Sequence, residues 1–379
     1  MKKVSALFAA LGLTLAMAGG GGAANAISAV RVCPGSPIGT ASCHALVVTD
    51  GVGNPNATTS PTGLSPDTIK TVYSYSKDPA AGFGKTIAIV DAYDDPSAES
   101  DLNVFSGQYP PLPQCTTANG CFTKVDQTGG KSYPRKDAGW ALEISLDIQW
   151  AHAIAPGAKI LLVEASSNSF ANLLAAEDYA RANAQYVSNS WGGSEFSGES
   201  AYDSHFAPSG GVSFFVSSGD SGLPAQYPSA SPNVISVGGT TLNLSGSTLL
   251  SETGWSFSGG GCSAYETATF AQSSFSEYPQ VNCGSARATP DVSLDADPAS
   301  GVSVYDSTRY QGQAGWFKVG GTSASSPMWA ARAADSAAVV DSTYVYGGSI
   351  TYRDITMGNN GASALGGYDL VTGRGSWTG

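Results

Sequence analysis

Between residues 86 and 237, short runs that are apolar on both faces alternate with helical patterns, and this limits the fold more than any other feature of the chain. The runs are Thr86–Val90, Ile160–Val163, Tyr186–Ser190, Ser213–Ser217 and Val234–Val237, and the helical stretches cover 138–154 and 169–183. A strand apolar on both sides is covered on both sides. The pattern therefore predicts an α/β fold, a doubly wound, mostly parallel sheet with helices on both faces. Residues 240–320, with frequent Gly and Ser and several aromatics, predict strands and loops appended to that sheet. In open parallel sheets the chemistry gathers beyond the carboxyl ends of the strands. There the sequence places Asp91, then Ser188-Asn189-Ser190-Trp191-Gly192-Gly193, then Ser217-Ser218-Gly219-Asp220-Ser221-Gly222.

The N-terminal end reads as an export signal. Met1-Lys2-Lys3 is followed by the apolar run Ala6–Ala18 and by Ala24-Asn25-Ala26, which predicts cleavage after Ala26 and a secreted, extracellular protein without a membrane anchor. Residues 27–62, rich in Ser, Thr, Pro, Gly and Asn, predict an extended leader, with the folded domain starting at Gly63. A net charge of -12 argues against nucleic acid as a partner. With charged residues only 13% of the chain, little is lost when carboxylates protonate, which suits an acid medium as well as general solubility. The six cysteines form three close pairs, Cys33 with Cys43, Cys115 with Cys121 and Cys262 with Cys283. In an exported chain these point to disulfides rather than metal binding, with the connectivity left open.

Gly320-Gly321-Thr322-Ser323-Ala324-Ser325-Ser326-Pro327 precedes an Ala-rich helical stretch, so a tight glycine turn would deliver Ser323 to a helix N-terminus, where amides face developing negative charge. Taken alone, the Gly-Thr-Ser segment reads first as a helix cap. A nucleophilic serine needs a base, and the chain offers only His44, in the leader, His205, in a polar loop, and His152, near the end of an apolar helix. Carboxylates fill the gap. In Trp140–Ala151 apolar residues occupy almost every helical face, yet Glu143 and Asp147 stand four apart on one side. Two like charges in a buried helix with no basic residue within a turn are a poor structural device, so the pair points to chemistry.

At this point the sequence resembles the sedolisin family of serine-carboxyl peptidases. The resemblance rests on ordered motifs: Glu143-x-x-x-Asp147 followed by Ala155-Pro156, Ser188-Asn189-Ser190-Trp191-Gly192, Ser218-Gly219-Asp220-Ser221-Gly222, Gly259-Gly260-Gly261, Pro290-Asp291-Val292-Ser293, and Gly321-Thr322-Ser323-Ala324-Ser325-x-Pro327. It implies a subtilisin-like fold and a peptidase domain over 63–379, acting as a monomer on polypeptide substrates. Ser323 would attack the scissile carbonyl, Glu143 would take and return its proton, Asp147 would orient Glu143, and Asp220 would complete the oxyanion site. Asp91 and Trp191 match positions of a proton network behind the glutamate, while Ser190 and Gly192 would offer backbone groups to an extended substrate. The family's Ca2+ site maps to a C-terminal loop through Asp354, the carbonyls of Ile355, Leu365 and Gly367, and Asp369; Leu365 stands where the family usually has glycine. The chain departs from the family in having the leader 27–62 where members carry a long propeptide, and in a shorter stretch between Pro327 and Asp354. Two rival readings remain: a subtilisin-like peptidase using Asp91 and His152, and a catalytically silent secreted binding protein of the same fold.

Overall fold

The computed structural model describes residues 28–379 apart from 36, 208 and 209, so the expected export signal, 1–26, lies outside the described residues. The central sheet contains, in chain order, β1 (Thr86–Ala92), β2 (Phe122–Asp126), β3 (Lys159–Ala165), β4 (Tyr186–Asn189), β5 (Ser213–Ser217), β6 (Ile235–Ser245), β7 (Thr248–Gly254) and β8 (Val292–Asp295). Their order in space is β7-β6-β5-β4-β1-β3-β2, with β8 beside β6. Every pairing is parallel except that of β6 with β7, the antiparallel edge. The expected strands and helices stand close to where the periodicity put them.

The helices that position the site are α1 (Ala138–Ile154), α2 (Phe170–Asn183) and α3 (Thr322–Ser336). Asp137 caps α1 by accepting from the amides of Gly139 and Trp140, and Ser169 caps α2 through the amide of Asn172. On β4, Ser188 is hydrogen-bonded to Ser326 of α3 at 2.9 Å, while the next residue, Asn189, lies beside Glu177 of α2. Successive strand residues point to opposite faces, so α3 and α2 cover the two sides of the sheet. Strands β3 and β4 flank β1, which makes β1 the place where the winding reverses and opens the crevice at its carboxyl end.

The leader is part of the domain rather than an appendage to it. Ala29–Arg31 pairs with Leu46–Val48, and this strand joins the hairpin Val302–Tyr310 and Gln313–Gly320 in a second, antiparallel sheet. Val32, Cys33, Ala41, Cys43, Ala45 and Val47 are all buried. Among the described residues the folded domain thus already includes 29–48, upstream of Gly63. Helices Pro66–Tyr73 and Ala98–Gln108 and strand β2 were not foreseen; β2 reads Phe-Thr-Lys-Val-Asp and, at an edge, lacks the two-sided apolar pattern. The disulfides join Cys33 to Cys43, Cys115 to Cys121 and Cys262 to Cys283.

Away from the crevice, Arg287 and Asp291 form an ion pair 2% and 1% exposed. Tyr346 Oη donates to Asp291 Oδ1 at 2.6 Å, and Arg287 Nη1 donates to the same oxygen at 2.6 Å. Arg287→Met leaves the carboxylate buried without its cation, so stability falls by about 3–5 kcal/mol. Denaturant unfolding at neutral pH measures this; a loss below about 1 kcal/mol would show that the pair is dispensable.

Candidate active site

Helix α1 is buried on nearly every side, because β1, α3 and the Val302–Tyr310 strand all pack on it. Glu143 and Asp147, one turn apart, are fully buried, and so is Asp91 near the end of β1. Among the described residues no hydrogen bond of good geometry reaches any carboxylate oxygen of the three, and none forms an ion pair. Burial pushes all three carboxyls well above the usual carboxylate range. For Glu143 the negative fields of Asp147 and Asp91 add to it; for Asp91 those of Asp147 and Glu164 do. The hydroxyls of Ser323, near Glu143, and Ser190, near Asp147, pull in the opposite direction.

Ser323 is the second residue of α3, after Gly321 with φ +99, a conformation that favours glycine. The ring of Pro327 supplies no amide for the Ser323 carbonyl one turn back, and Ser190 Oγ takes that carbonyl instead, at 3.4 Å. Ser323 Oγ donates in turn to the Ser190 carbonyl at 3.3 Å while remaining close enough to Glu143 to act on its carboxyl. Asp220, after β5, is 1% exposed; its Oδ1 accepts from the Thr322 amide at 2.8 Å and from Thr322 Oγ1 at 3.0 Å, and its Oδ2 is buried without a partner. Burial raises the Asp220 carboxyl to about 7, against the opposing pull of Arg31 and Thr322. A carboxyl that keeps its proton on a free oxygen is a donor in waiting. Trp191 is fully buried, donates from Nε1 to the Val90 carbonyl at 2.8 Å, and lies against Phe170.

The structure takes His152 away from Ser323: its Nε2 is bonded to the Pro113 carbonyl at 2.8 Å, and burial pushes its pKa down to about 4. His205 pairs with Asp178. His44 lies in the crevice, but its Nδ1 is bonded to Ser217 Oγ at 2.7 Å.

In the C-terminal loop, both Asp354 oxygens accept from the Gly367 amide at 3.1 Å. Asp369, 1% exposed and without an ion pair among the described residues, accepts from the amides of Leu365, Val371 and Thr372. Gln280 takes the carbonyls of Gly366 and Tyr368, and no hydrogen bond to the alternate carbonyls of Leu365 and Gly367 is found among the described residues. Two carboxylates with alternate free carbonyls suit a hard cation.

Three residues here escaped sequence reasoning. Glu164 is paired in register with Asp91 across β3 and β1, and its Oε1 lies 3.0 Å from Lys124 Nζ; an acidic residue ending a two-sided apolar strand was its signal. Arg31 donates from Nη2 to the Asp220 carbonyl at 2.6 Å and to Ser221 Oγ at 2.8 Å, and the His44 carbonyl accepts the Ser323 amide at 3.2 Å. Both come from the leader, whose composition gave no such signal.

The Subtilase family matches residues 137–362. Kumamolisin of Bacillus sp. (strain MN-32) is 31% identical over 360 residues, spanning 83% of this chain and 62% of that protein. Xanthomonalisin of Xanthomonas sp. (strain T-22) is 28% identical over 393 residues, spanning 82% and 45%. The chain thus spans less than two thirds of the length of these relatives. Among solved structures, Pseudomonas sedolisin (serine-carboxyl proteinase) complexed with two molecules of pseudo-iodotyrostatin superposes with a TM-score of 0.66 at 29% identity, over 84% of this chain and 96% of that one.

Burial also lifts Asp95 to about 7 and Glu164, Glu177 and Asp306 to about 8. A carboxyl raised in the fold stabilises it fully below its unfolded value, about 4, and ceases to as pH climbs through the folded value. The melting temperature is therefore expected to be highest in acid and to fall between about pH 4 and pH 8. Thermal unfolding across that interval tests this, and a rising curve contradicts it.

Proposed function

Since the chain belongs to the subtilase family and, within it, to the sedolisin type, we propose that it is a secreted, acid-active serine endopeptidase, acting as a monomer on polypeptides through Ser323, Glu143 and Asp147. The observation that carries this reading is the pair of fully buried carboxyls one helical turn apart, beside Ser323 and without an ion pair among the described residues. In this reading Ser323 Oγ gives up its hydrogen bond to the Ser190 carbonyl, donates to Glu143 and attacks the scissile carbonyl. Glu143 accepts the serine proton and returns it to the leaving amine. Asp147 holds Glu143 in place and shares its proton, with Asp91 behind it and Trp191 packing the network. The Ser323 amide and protonated Asp220 Oδ2 stabilise the oxyanion. Ser190 and Gly192 present backbone groups to an extended peptide. Water then hydrolyses the acyl-enzyme.

A histidine base with a pKa of about 6.5 is protonated in acid, whereas a coupled carboxyl pair titrates in steps, so that loss of its first proton leaves one carboxyl as the base and the other still protonated. That favours this triad over the reading based on His152, which the Pro113 carbonyl holds elsewhere. No helix among the described residues is long and apolar enough to cross a membrane, in keeping with export as a free protein.

Asp354, Asp369 and the carbonyls of Ile355, Leu365 and Gly367 would hold Ca2+, which when bound ties the loop to the domain through charge and coordination. Binding only to the native state adds stability by mass action. A chelator, or Asp369→Asn, is therefore expected to lower the melting temperature of metal-loaded protein by several degrees, as calorimetry would show; no change speaks against the ion.

For catalysis, Glu143→Gln keeps the shape and loses the base, so turnover should drop by at least about 1,000-fold with peptide binding retained. The pH profile should be a bell: the acid limb marks full protonation of the coupled Glu143 and Asp147, and the alkaline limb falls as Asp220 loses its proton near pH 7. Initial rates on a quenched peptide decide this; a maximum above neutral pH in folded protein would refute the carboxylate mechanism.

A further inference from the structure

We propose that Cys115, Cys121 and His152 form a redox-gated Zn2+ site, closed by a disulfide in the oxidised chain and open to one ion once that disulfide is reduced. The inference does not depend on the peptidase reading above.

His152 has no part in the crevice. It stands in the last turn of α1, fully buried, with Nε2 at 2.8 Å from the Pro113 carbonyl. A carbonyl only accepts, so Nε2 carries the ring proton; burial keeps the ring neutral, and the lone pair falls on Nδ1. Nδ1 is buried and has no hydrogen-bond partner among the described residues. A ring nitrogen of His152 and the sulfurs of Cys115 and Cys121 all lie within 4.8 Å of one another, and no other group of three His, Cys, Asp or Glu ligand atoms is as close among the described residues. A backbone carbonyl that fixes one imidazole nitrogen and leaves the other free is the arrangement that orients metal-binding histidines. Packing alone would be met by an apolar side chain, which leaves no buried acceptor unsatisfied.

The loop is held around His152 by contacts other than the S–S bond. The Cys121 carbonyl accepts the Ile160 amide at 2.8 Å, which fixes it to the start of β3. Asn119 accepts from the amides of Thr116 at 3.1 Å and Cys121 at 3.0 Å, and donates to the Gln114 carbonyl at 2.8 Å. The Cα atoms of Cys115 and Cys121 are 4.9 Å apart. From there, rotation about χ1 brings two thiolates to the spacing of about 3.8 Å that they take on tetrahedral Zn2+, each about 2.3 Å from the metal, with the fourth position left to water. Two thiolates, a neutral imidazole and Zn2+ sum to zero, so the filled site puts no net charge into the interior. The chemistry balances with a dithiol as reductant. Thiol–disulfide exchange moves two electrons from the dithiol to the Cys115–Cys121 bond, leaving two protein thiols and a cyclic disulfide, and Zn2+ then displaces the two thiol protons. The reverse exchange with an oxidised dithiol closes the bond and releases the ion. Cys121 is partly exposed, which gives reductant and cation a way in.

The test reduces the purified full chain with dithiothreitol, exchanges it without air into Ca2+ buffer free of reductant, confirms both thiols by alkylation and mass mapping, and titrates it with Co2+ and then Zn2+. One equivalent of Co2+ should give thiolate charge-transfer and tetrahedral ligand-field bands that Zn2+ abolishes, and the oxidised chain should give neither. Replacing both Cys115→Ser and Cys121→Ser should remove the bands, whereas Cys262→Ser with Cys283→Ser should keep them. His152→Asn, with its fold checked by circular dichroism, should bind at least about ten-fold more weakly. Where that variant does not fold, X-ray absorption of the Zn2+-loaded reduced wild type decides, with two sulfurs and one imidazole expected. Should the reduced chain unfold, reduction is repeated with the metal present, and a fold kept by Zn2+ but not by Mg2+ supports the site. Absence of the bands in folded chain with both thiols free, bands that survive loss of Cys115 and Cys121, sulfur ligands without imidazole, or unfolding in Zn2+ and Mg2+ alike overturns the inference. A Cys115–Cys121 bond that stays closed in folded chain under excess dithiol overturns it as well.

Discussion

Much of this structure depends on a row of buried carboxyl groups that, among the described residues, has a cation at one end only. Helix α1 lies in the core because its apolar residues cover nearly every face, and so it carries Glu143 and Asp147 out of water. Asp91 and Glu164 extend the row across β1 and β3, and Lys124, at the Glu164 end, is the one cation paired with the row among the described residues. Charges so placed cannot all persist, and protons take the place of cations. The acid stability expected of the fold, the proton sharing proposed for Glu143 and Asp147, and the donor role proposed for Asp220 all follow from the same burial.

Around that row, local backbone chemistry sets the position of Ser323. Gly321 provides the turn, and Pro327 leaves the Ser323 carbonyl without its helical donor. Ser190 answers with its hydroxyl, and its own carbonyl receives Ser323 Oγ. The end of β4 and the start of α3 are thereby locked to one another. Ser188 and Ser326 repeat the link one layer deeper.

The N-terminal segment adds a second constraint at the same place. Arg31 reaches the Asp220 loop, His44 takes the Ser323 amide, and the strand between them is pinned by a disulfide and by the second sheet. Three of the groups that approach Asp220, namely Arg31, His44 and Thr322, come from opposite ends of the chain. The environment of that carboxyl is therefore a property of the assembled crevice and of no single motif.

The sequence by itself determined the central sheet, because strands such as Thr86–Ala92 and Ser213–Ser217 carry a burial pattern written within a few residues of one another. It also determined the side of α1 that bears Glu143 and Asp147, since a spacing of four fixes a helical face. Only the tertiary structure decided that residues 29–48 belong to the domain. Their short strands hold small and polar residues without a clear period, and their stability comes from partners such as Trp191, Gly192 and Gly320 that no local pattern names. Glu164 and Arg31 gained their places in the same way. Periodicity records which face of an element is buried, whereas register, which depends on contacts between distant segments, decides what that face meets.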